Sequence, residues 1–173
     1  MKPTNKQATS DDYSKQDASG DNSRQAASGH SSQQTASGED SFQAANGDYC
    51  KQAASGGLSR QAATCYYSIQ AATGYHSMQA ATGDSSTQEA TGDYCKQAAA
   101  GESSKQAAFG KRAVSIAAGI HSKVKSGPEG AFALAWHDGT RFRITVGYVG
   151  ENGIEPDVWY RLSLSGEIVE IKS

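Results

Sequence analysis

The sequence predicts an all-β protein: a parallel, two-sided β-solenoid (a β-roll) with about 18 residues per coil, followed by a small C-terminal antiparallel β cap. Glutamine recurs every nine residues, twelve times without an insertion, from Gln7 to Gln106. Fixed and variable positions alternate within each repeat, and larger apolar residues replace the repeat near its C-terminal end. We therefore expect a solenoid over residues 1–127 and a cap, also a candidate dimerisation domain, over residues 128–173.

Each nine-residue repeat predicts one short β-strand. In the repeat at residues 51–59 the slot before glutamine varies freely along the chain, and the glutamine slot does not vary. The next slot is mostly alanine but accepts Asp17 and Glu89, the fourth is alanine from Ala18 to Ala108, and the fifth varies again. Alternation with period two over five residues is typical of a strand, here with glutamine and alanine facing inward.

The remaining four slots predict a tight turn. Glycine comes first in nearly every repeat, which suits a corner that needs a positive φ or a close backbone approach. Two variable residues follow, and then a serine that only Cys50 and Cys95 replace. Because serine and cysteine are similar in size, we expect a small buried slot and two inert thiols.

Two repeats per coil fit the sequence better than one or three. A five-residue strand spans roughly 16 Å, too long for a nine-residue coil. A 27-residue triangular coil would need bulkier fillers than serine, glutamine and alanine. With 18 residues per coil, like charges in the slot before glutamine are not direct neighbours after the first coil of the twelve glutamine repeats. The inward glutamines are then expected to bond to each other or to backbone along the stack.

The cap reads as an antiparallel meander. Strands are expected at residues 131–136, 141–149, 158–163 and 167–172, with a hairpin turn at Asp138-Gly139. Five large apolar residues exceed what a minimal cap needs, namely Trp136, Phe142, Tyr148, Val158 and Trp159. We expect most of the five to pack in a core and some to form a dimer contact.

Composition and motifs argue against several functions. A net charge of −2, from 16 basic and 18 acidic residues, favours neither direct nucleic-acid binding nor an acidic DNA mimic. No Ser-His-Asp or Cys-His arrangement, phosphate-binding loop or metal-type spacing is present, so we expect no catalysis, cofactor or metal. Residues 1–4 begin no apolar signal segment, and no apolar run long enough to span a membrane follows. The three cysteines are odd in number, which is simplest to explain if their thiols are reduced. These features predict a cytoplasmic protein without a membrane span.

The turn slots hold the candidate binding residues, because tyrosine and acidic residues gather there. The set is Tyr13, Tyr49, Tyr67, Tyr75, His76, Asp93 and Tyr94. On an 18-residue coil Tyr49 and Tyr67 should stack directly. Rigid aromatic side chains anchor protein contacts at low entropic cost, which favours a recognition surface. The alternative is a solvated turn edge with local stacking.

Two resemblances suggest a biological setting. The runs Ala113–Gly119 and His121–Lys125 resemble the head coils of trimeric autotransporter adhesins. The Gly-Asp-Tyr-Cys turns, Gly47–Cys50 and Gly92–Cys95, followed by a sheet ending in Trp159–Leu162, resemble small repeat proteins of gut bacteria and their phages. The phage-like resemblance implies a protein-binding inhibitor of a bacterial defence system, such as an anti-CRISPR protein. The alternatives are a self-assembling fibre or adhesin, and a small-ligand protein with a pocket at the solenoid–cap junction near Trp136.

Overall fold

A computed structural model describes residues 5–172 as two sheets of nine β-strands each. The expectation that concerned Met1–Thr4 lies outside the described residues. The strands are β1 Lys6–Thr9, β2 Lys15–Ala18, β3 Arg24–Ala27, β4 Gln33–Ala36, β5 Phe42–Ala45, β6 Lys51–Ala54, β7 Arg60–Ala63, β8 Ile69–Ala72, β9 Met78–Ala81, β10 Thr87–Ala90, β11 Lys96–Ala99, β12 Lys105–Ala108, β13 Val114–Ala117, β14 Lys123–Ser126, β15 Ala131–His137, β16 Phe142–Tyr148, β17 Trp159–Leu162 and β18 Ile168–Glu170.

The structure confirms the predicted coil of about 18 residues with two strands. From β1 to β15, odd-numbered strands lie in sheet 1 and even-numbered strands in sheet 2, and within each sheet a strand pairs in parallel with the strand two further along. Gln25 thus lies between Gln7 and Gln43, 18 residues away on either side, in a solenoid of about seven coils. The strands have four residues rather than the expected five, although the N–H of the fifth residue still bonds to the neighbouring coil, as from Ser28 to the Thr9 oxygen (3.0 Å). Along each strand exposed and buried residues alternate, with glutamine and alanine inside.

Glutamine side chains fill the space between the sheets and form the predicted ladder. The Nε2 of Gln61 donates one hydrogen bond to Oε1 of Gln43 (2.9 Å) and a second to the backbone oxygen of Ala71 on the opposite sheet (3.0 Å). Its own Oε1 accepts from Gln79 (2.9 Å). Each such amide therefore bonds along the stack and across it, which satisfies polar groups that would be costly to bury unpaired.

Glycine is needed in most turns because the backbone of the preceding coil approaches closely there, and not because its φ is positive. A Cβ on Gly74 would lie 1.9 Å from the backbone oxygen of Gly56 in the preceding coil. Positive φ instead falls two residues later, on side-chain-bearing residues such as Asn22 and Tyr49 (φ 57° and 58°). The serine hydroxyl closes the turn, as Ser59 Oγ donates to the Gly56 oxygen (2.7 Å).

The expectation of reduced thiols is wrong for two of the three cysteines. Cys50 and Cys65 form a disulfide between adjacent coils, and Cys95 is free and buried. Cys50 occupies a serine slot and Cys65 a glycine slot, where its Cβ needs room. Gly47, directly before Cys65 in the stack, has a φ of 141°, unlike the other glycines of the solenoid, and we attribute this change to the Cβ of Cys65.

The cap is not one continuous meander, because its strands divide between the two sheets. β15 extends sheet 1 in parallel to β13 and then pairs antiparallel with β16. β17 pairs antiparallel with β14 in sheet 2, and β18 follows it. The apolar core lies between these additions and comprises Ala117, Val124, Phe132, Leu134, Ile154 and Tyr160. Larger apolar side chains thus replace the amide ladder at this end.

The five cap residues predicted for the core or a dimer contact have different environments. Val158 packs against the cap core. Trp136 is half-buried against Gly166, and Trp159 is half-buried with the Lys125 ammonium 5.3 Å from its ring. Phe142 and Tyr148 remain exposed on β16. Core packing is therefore partial, and the dimer contact stays a prediction.

Candidate functional site: two aromatic turn edges

The seven predicted binding residues lie on two edges of the solenoid, not on one. Successive turns alternate sides, so residues 18 apart share an edge and residues nine apart do not. Tyr13, Tyr49 and Tyr67 lie on what we call the first edge. Tyr75, His76, Asp93 and Tyr94 lie on the opposite side, the second edge. The 18-residue period predicts that Tyr13, Tyr49 and Tyr67 share one edge, as they do here, but it was not used to assign the other four residues to the opposite edge.

The first edge carries a continuous ladder of rings. Tyr49 and Tyr67 stack with ring centroids 5.4 Å apart and planes 10° from parallel, as predicted. His30 stands edge-on between Tyr13 and Tyr49, at 5.9 and 5.6 Å. Tyr66 packs edge-on against Tyr67 at 4.6 Å. His30 and Tyr66 were not among the predicted binding residues, and both lie in the turn slot directly before the slot of Tyr13, Tyr49 and Tyr67.

The backbone holds these rings in place. The amide N–H of Tyr49 donates to the Tyr66 oxygen (2.9 Å), and that of Tyr67 donates to the Asp84 oxygen (3.0 Å). The Cys50–Cys65 disulfide covalently joins the same two coils directly behind the rings. Tyr49 and Tyr67 nevertheless remain 52% and 43% exposed. Large, exposed and already ordered rings lose little entropy when a partner binds.

The contact with Tyr67 affects the phenol of Tyr66. Electrostatic repulsion from the neighbouring Tyr67, followed by partial desolvation, raises the pKa of Tyr66 above the ordinary tyrosine value. The hydroxyl therefore stays protonated at physiological pH and can serve as a neutral hydrogen-bond donor or acceptor.

The second edge combines rings with an ion pair. His76 stacks on Tyr94 at 5.0 Å, and Tyr75 packs edge-on against both. The Arg112 guanidinium donates to the Tyr94 hydroxyl (2.6 Å) and, through Nε, to Glu129 (2.7 Å). The hydrogen bond from Arg112 and its positive charge lower the pKa of Glu129, and the same contacts raise that of Arg112. Both groups are therefore charged at neutral pH.

Asp93, predicted as a binding residue, has a structural contact as well. Its Oδ1 accepts the backbone N–H of Lys111 in the next coil (2.8 Å). Asp12 and Asp84 accept the equivalent N–H groups of His30 and Glu102. Aspartate in this turn slot thus stabilises the stack, and only its second oxygen is left for a partner.

A shallow cleft of about 270 Å³ separates the second edge from the outer face of sheet 1. Its walls combine two cations with apolar and ring surfaces, and the lining is Leu58, Arg60, His76, Met78, Tyr94 and Lys96. The outward residues of strands β1 to β13 in sheet 1 include no acidic side chain. The cleft can therefore receive an anionic group against a ring.

A second cleft lies at the solenoid–cap junction, where the small-ligand alternative requires one. It measures about 240 Å³, and its mainly apolar wall includes Leu134, Trp136, Leu162 and Leu164, with His121 and His137 at its polar positions. Most small-molecule sites enclose about 300–1,000 Å³. Small-ligand binding at Trp136 stays a prediction.

Metal-binding clusters and membrane-spanning helices are both absent from residues 5–172. No three histidine, cysteine, aspartate or glutamate side chains in that range lie close enough together to hold a metal ion. Nor does the range contain a helix of the length and apolar character needed to cross a membrane.

These features define a β-solenoid with ordered aromatic edges, and comparison with known proteins adds one relative. No protein-family model matches the chain, and no solved structure matches it. A stretch of 44 residues is 50% identical to the uncharacterized protein YdhT of Escherichia coli (strain K12). The match covers 25% of this chain and 16% of YdhT, so the chain spans a small part of that relative's length.

Proposed function

We propose that this chain is a non-catalytic scaffold that binds a protein partner on its aromatic turn edges. The observation that supports it is the Tyr13–His30–Tyr49–Tyr67 ladder, in which exposed rings are ordered before any partner arrives. Tyrosine is among the residue types enriched where interface energy concentrates. In the more specific form of the proposal, which the phage-like resemblance suggests, the partner is a component of a bacterial defence system and binding inhibits it.

A pair of matched variants tests the edge. Asn22 occupies the same positive-φ turn slot as Tyr49 and Tyr67, so Tyr49→Asn with Tyr67→Asn removes two rings without straining the backbone. The control is Phe42→Gln, which removes an exposed ring from the sheet face at a slot where the chain elsewhere carries Gln33. Wild type, double variant and control would be used as bait in bacterial lysate, with quantitative mass spectrometry of the captured proteins.

The expected result is a partner retained by wild type and Phe42→Gln and reduced at least tenfold by the double variant. The same ranking should appear when the three proteins are expressed in cells with an active CRISPR system and challenged with phage. A partner held equally by all three would overturn the role of the first edge. A mass that grows with concentration, without a defined partner, would favour the fibre alternative instead.

We place this activity in the bacterial cytoplasm, and the Cys50–Cys65 disulfide gives that location its own test. Cytosolic thiols are kept reduced, so binding in that compartment must persist when the disulfide is opened. We expect the wild-type chain to retain the partner in dithiothreitol. We also expect the double variant Cys50→Ser/Cys65→Gly to capture the partner as well as wild type. A partner lost on reduction would indicate an oxidising compartment.

A further inference from the structure

The outer face of the cap hairpin is apolar and exposed. β16 is an edge strand, and every second residue along it points outward: Phe142, Ile144, Val146 and Tyr148 are 67%, 70%, 49% and 52% exposed. A sheet face in contact with water normally carries polar side chains at these positions. Four consecutive outward apolar residues on an edge strand are typical of a surface that is covered in the functional protein.

The apolar face continues across the two neighbouring strands. Ala133 and Ala135 of β15 lie opposite Val146 and Ile144, and Ile116 of β13 lies beside Ala133. The outward residues of the three strands include no lysine, arginine, aspartate or glutamate. The charged and polar residues of β16 point to the other side, where Arg143 pairs with Asp138 and Thr145 donates to the Gly166 oxygen (2.8 Å).

We propose that this face packs against the same face of a second copy of the chain, about a twofold axis. A face without charge meets its own copy without like-charge repulsion, whereas a charged partner would find no complementary group on it. The two sheets would lie about 10 Å apart with their apolar side chains interdigitated. The contact is isologous, so the two copies form a closed dimer rather than a fibre.

The available area is sufficient for such a dimer. An aromatic side chain buries about 150–250 Å² in all, so the exposed fractions leave on the order of 100 Å² on each of Phe142 and Tyr148, and the exposed parts of Ile144 and Val146 add to this area. With Val114, Ile116 and the alanines, each copy offers roughly 500 Å², and two copies bury about 1,000 Å², near the lower limit for a specific interface. The turn edges lie outside this face, so the dimer is independent of the proposed edge function.

Sedimentation velocity of the full chain from about 1 to 300 µM tests the proposal. Wild type is expected to change from one to two chains within this range, with a dissociation constant on the order of micromolar, as for other small interfaces. Ile144→Lys places a charge at the centre of the face and should weaken association at least tenfold. The control is Leu164→Lys, at a cap residue that is 95% exposed and lies outside β13, β15 and β16, and it should associate like wild type.

Circular dichroism melting establishes that the variants are folded. If Ile144→Lys unfolds, Tyr148→Lys at the other end of the strand carries the same expectation. Wild type that remains a single chain over the whole range overturns the proposal. So does a dimer that tolerates both lysines, and so does a mass that rises beyond two chains.

Discussion

Replacing one glutamine of the ladder by leucine tests what stabilises the solenoid. Gln52 Nε2 donates to Gln34 Oε1 (2.9 Å) and to the Ala62 backbone oxygen (3.1 Å), and Gln70 Nε2 donates to Gln52 Oε1 (2.8 Å). Gln52→Leu nearly conserves volume and removes all three hydrogen bonds. It leaves two buried acceptors and one buried donor without the partner that the native side chain supplied.

The magnitude follows from two opposing effects. An unsatisfied buried polar group costs about 1–3 kcal/mol, so three of them cost about 6 kcal/mol. Burying a leucine side chain returns about 1.5–3 kcal/mol. The net loss in the free energy of unfolding is about 3–4 kcal/mol. For a chain of this size 1 kcal/mol corresponds to a change in Tm of roughly 2–4 °C, so we expect Tm to fall by about 6–16 °C.

Thermal unfolding followed by circular dichroism measures the effect, with Gln33→Leu as the control. Gln33 is an exposed glutamine on the outward side of β4, one residue before the buried Gln34, so the same substitution there removes no ladder contact. Its Tm should stay within about 2 °C of wild type, as for ordinary surface changes. If Gln52→Leu is as stable as Gln33→Leu, the ladder contributes no net stability and the reasoning fails.

Two other predictions concern the turns. Gly74→Ala puts a methyl group 1.9 Å from the Gly56 oxygen, whereas the nearest atom to a methyl group at Gly57 is 3.8 Å away. Gly74→Ala should therefore lower the Tm sharply, and Gly57→Ala should not. Differential scanning fluorimetry measures both Tm values, and equal values would contradict the explanation that the coils approach closely at Gly74. Hydrogen bonds from the Thr140 hydroxyl and backbone, with the Arg143 guanidinium, hold the pKa of Asp138 well below its usual range. Because the folded-state pKa is lowered, the stabilisation is present above about pH 4 and lost as pH falls further. The Tm difference between wild type and Asp138→Asn should thus shrink from pH 7 to pH 2.5, and a constant difference would refute it.

The repeat geometry could be predicted from the sequence because the inward positions of every repeat hold the same residue types. Invariant glutamine at a spacing of nine indicates both the strand and its inward face, and the structure confirms the coil of two repeats and the ladder. The hairpin at Asp138-Gly139 is also confirmed, since the carboxylate accepts the N–H groups of Thr140 and Arg141. These features depend on contacts that recur at fixed sequence offsets.

The disulfide could not be inferred from slots considered one at a time. Cys50 and Cys65 are 15 residues apart, in different slots, and approach each other only because the serine corner of one coil lies beside the glycine corner of the next, with a Cα–Cα distance of 5.9 Å. The same offset from Cys95 leads to Gly110, so Cys95 has no cysteine to pair with, and burial raises the pKa of its thiol. The 18-residue period was enough to place Tyr13, Tyr49 and Tyr67 on one edge, and the same period assigns His76 and Tyr94 to the opposite one.

The place where the amide ladder ends explains why the cap must be apolar. On one side the Ser115 hydroxyl donates to Gln97 Oε1 (3.0 Å), which gives the ladder a polar end. On the other side Val124 follows Gln106, and among the described residues Gln106 Oε1 has no hydrogen-bond partner. The cost of one unpaired oxygen, about 1–3 kcal/mol, is of the same order as the gain of about 1.5–3 kcal/mol from burying Val124 in the cap core. A glutamine in place of Val124 would donate to Gln106 Oε1 but leave its own Oε1 unpaired, so extending the ladder only moves the unpaired acceptor one coil further, and the change to an apolar core is the physical means by which this solenoid ends.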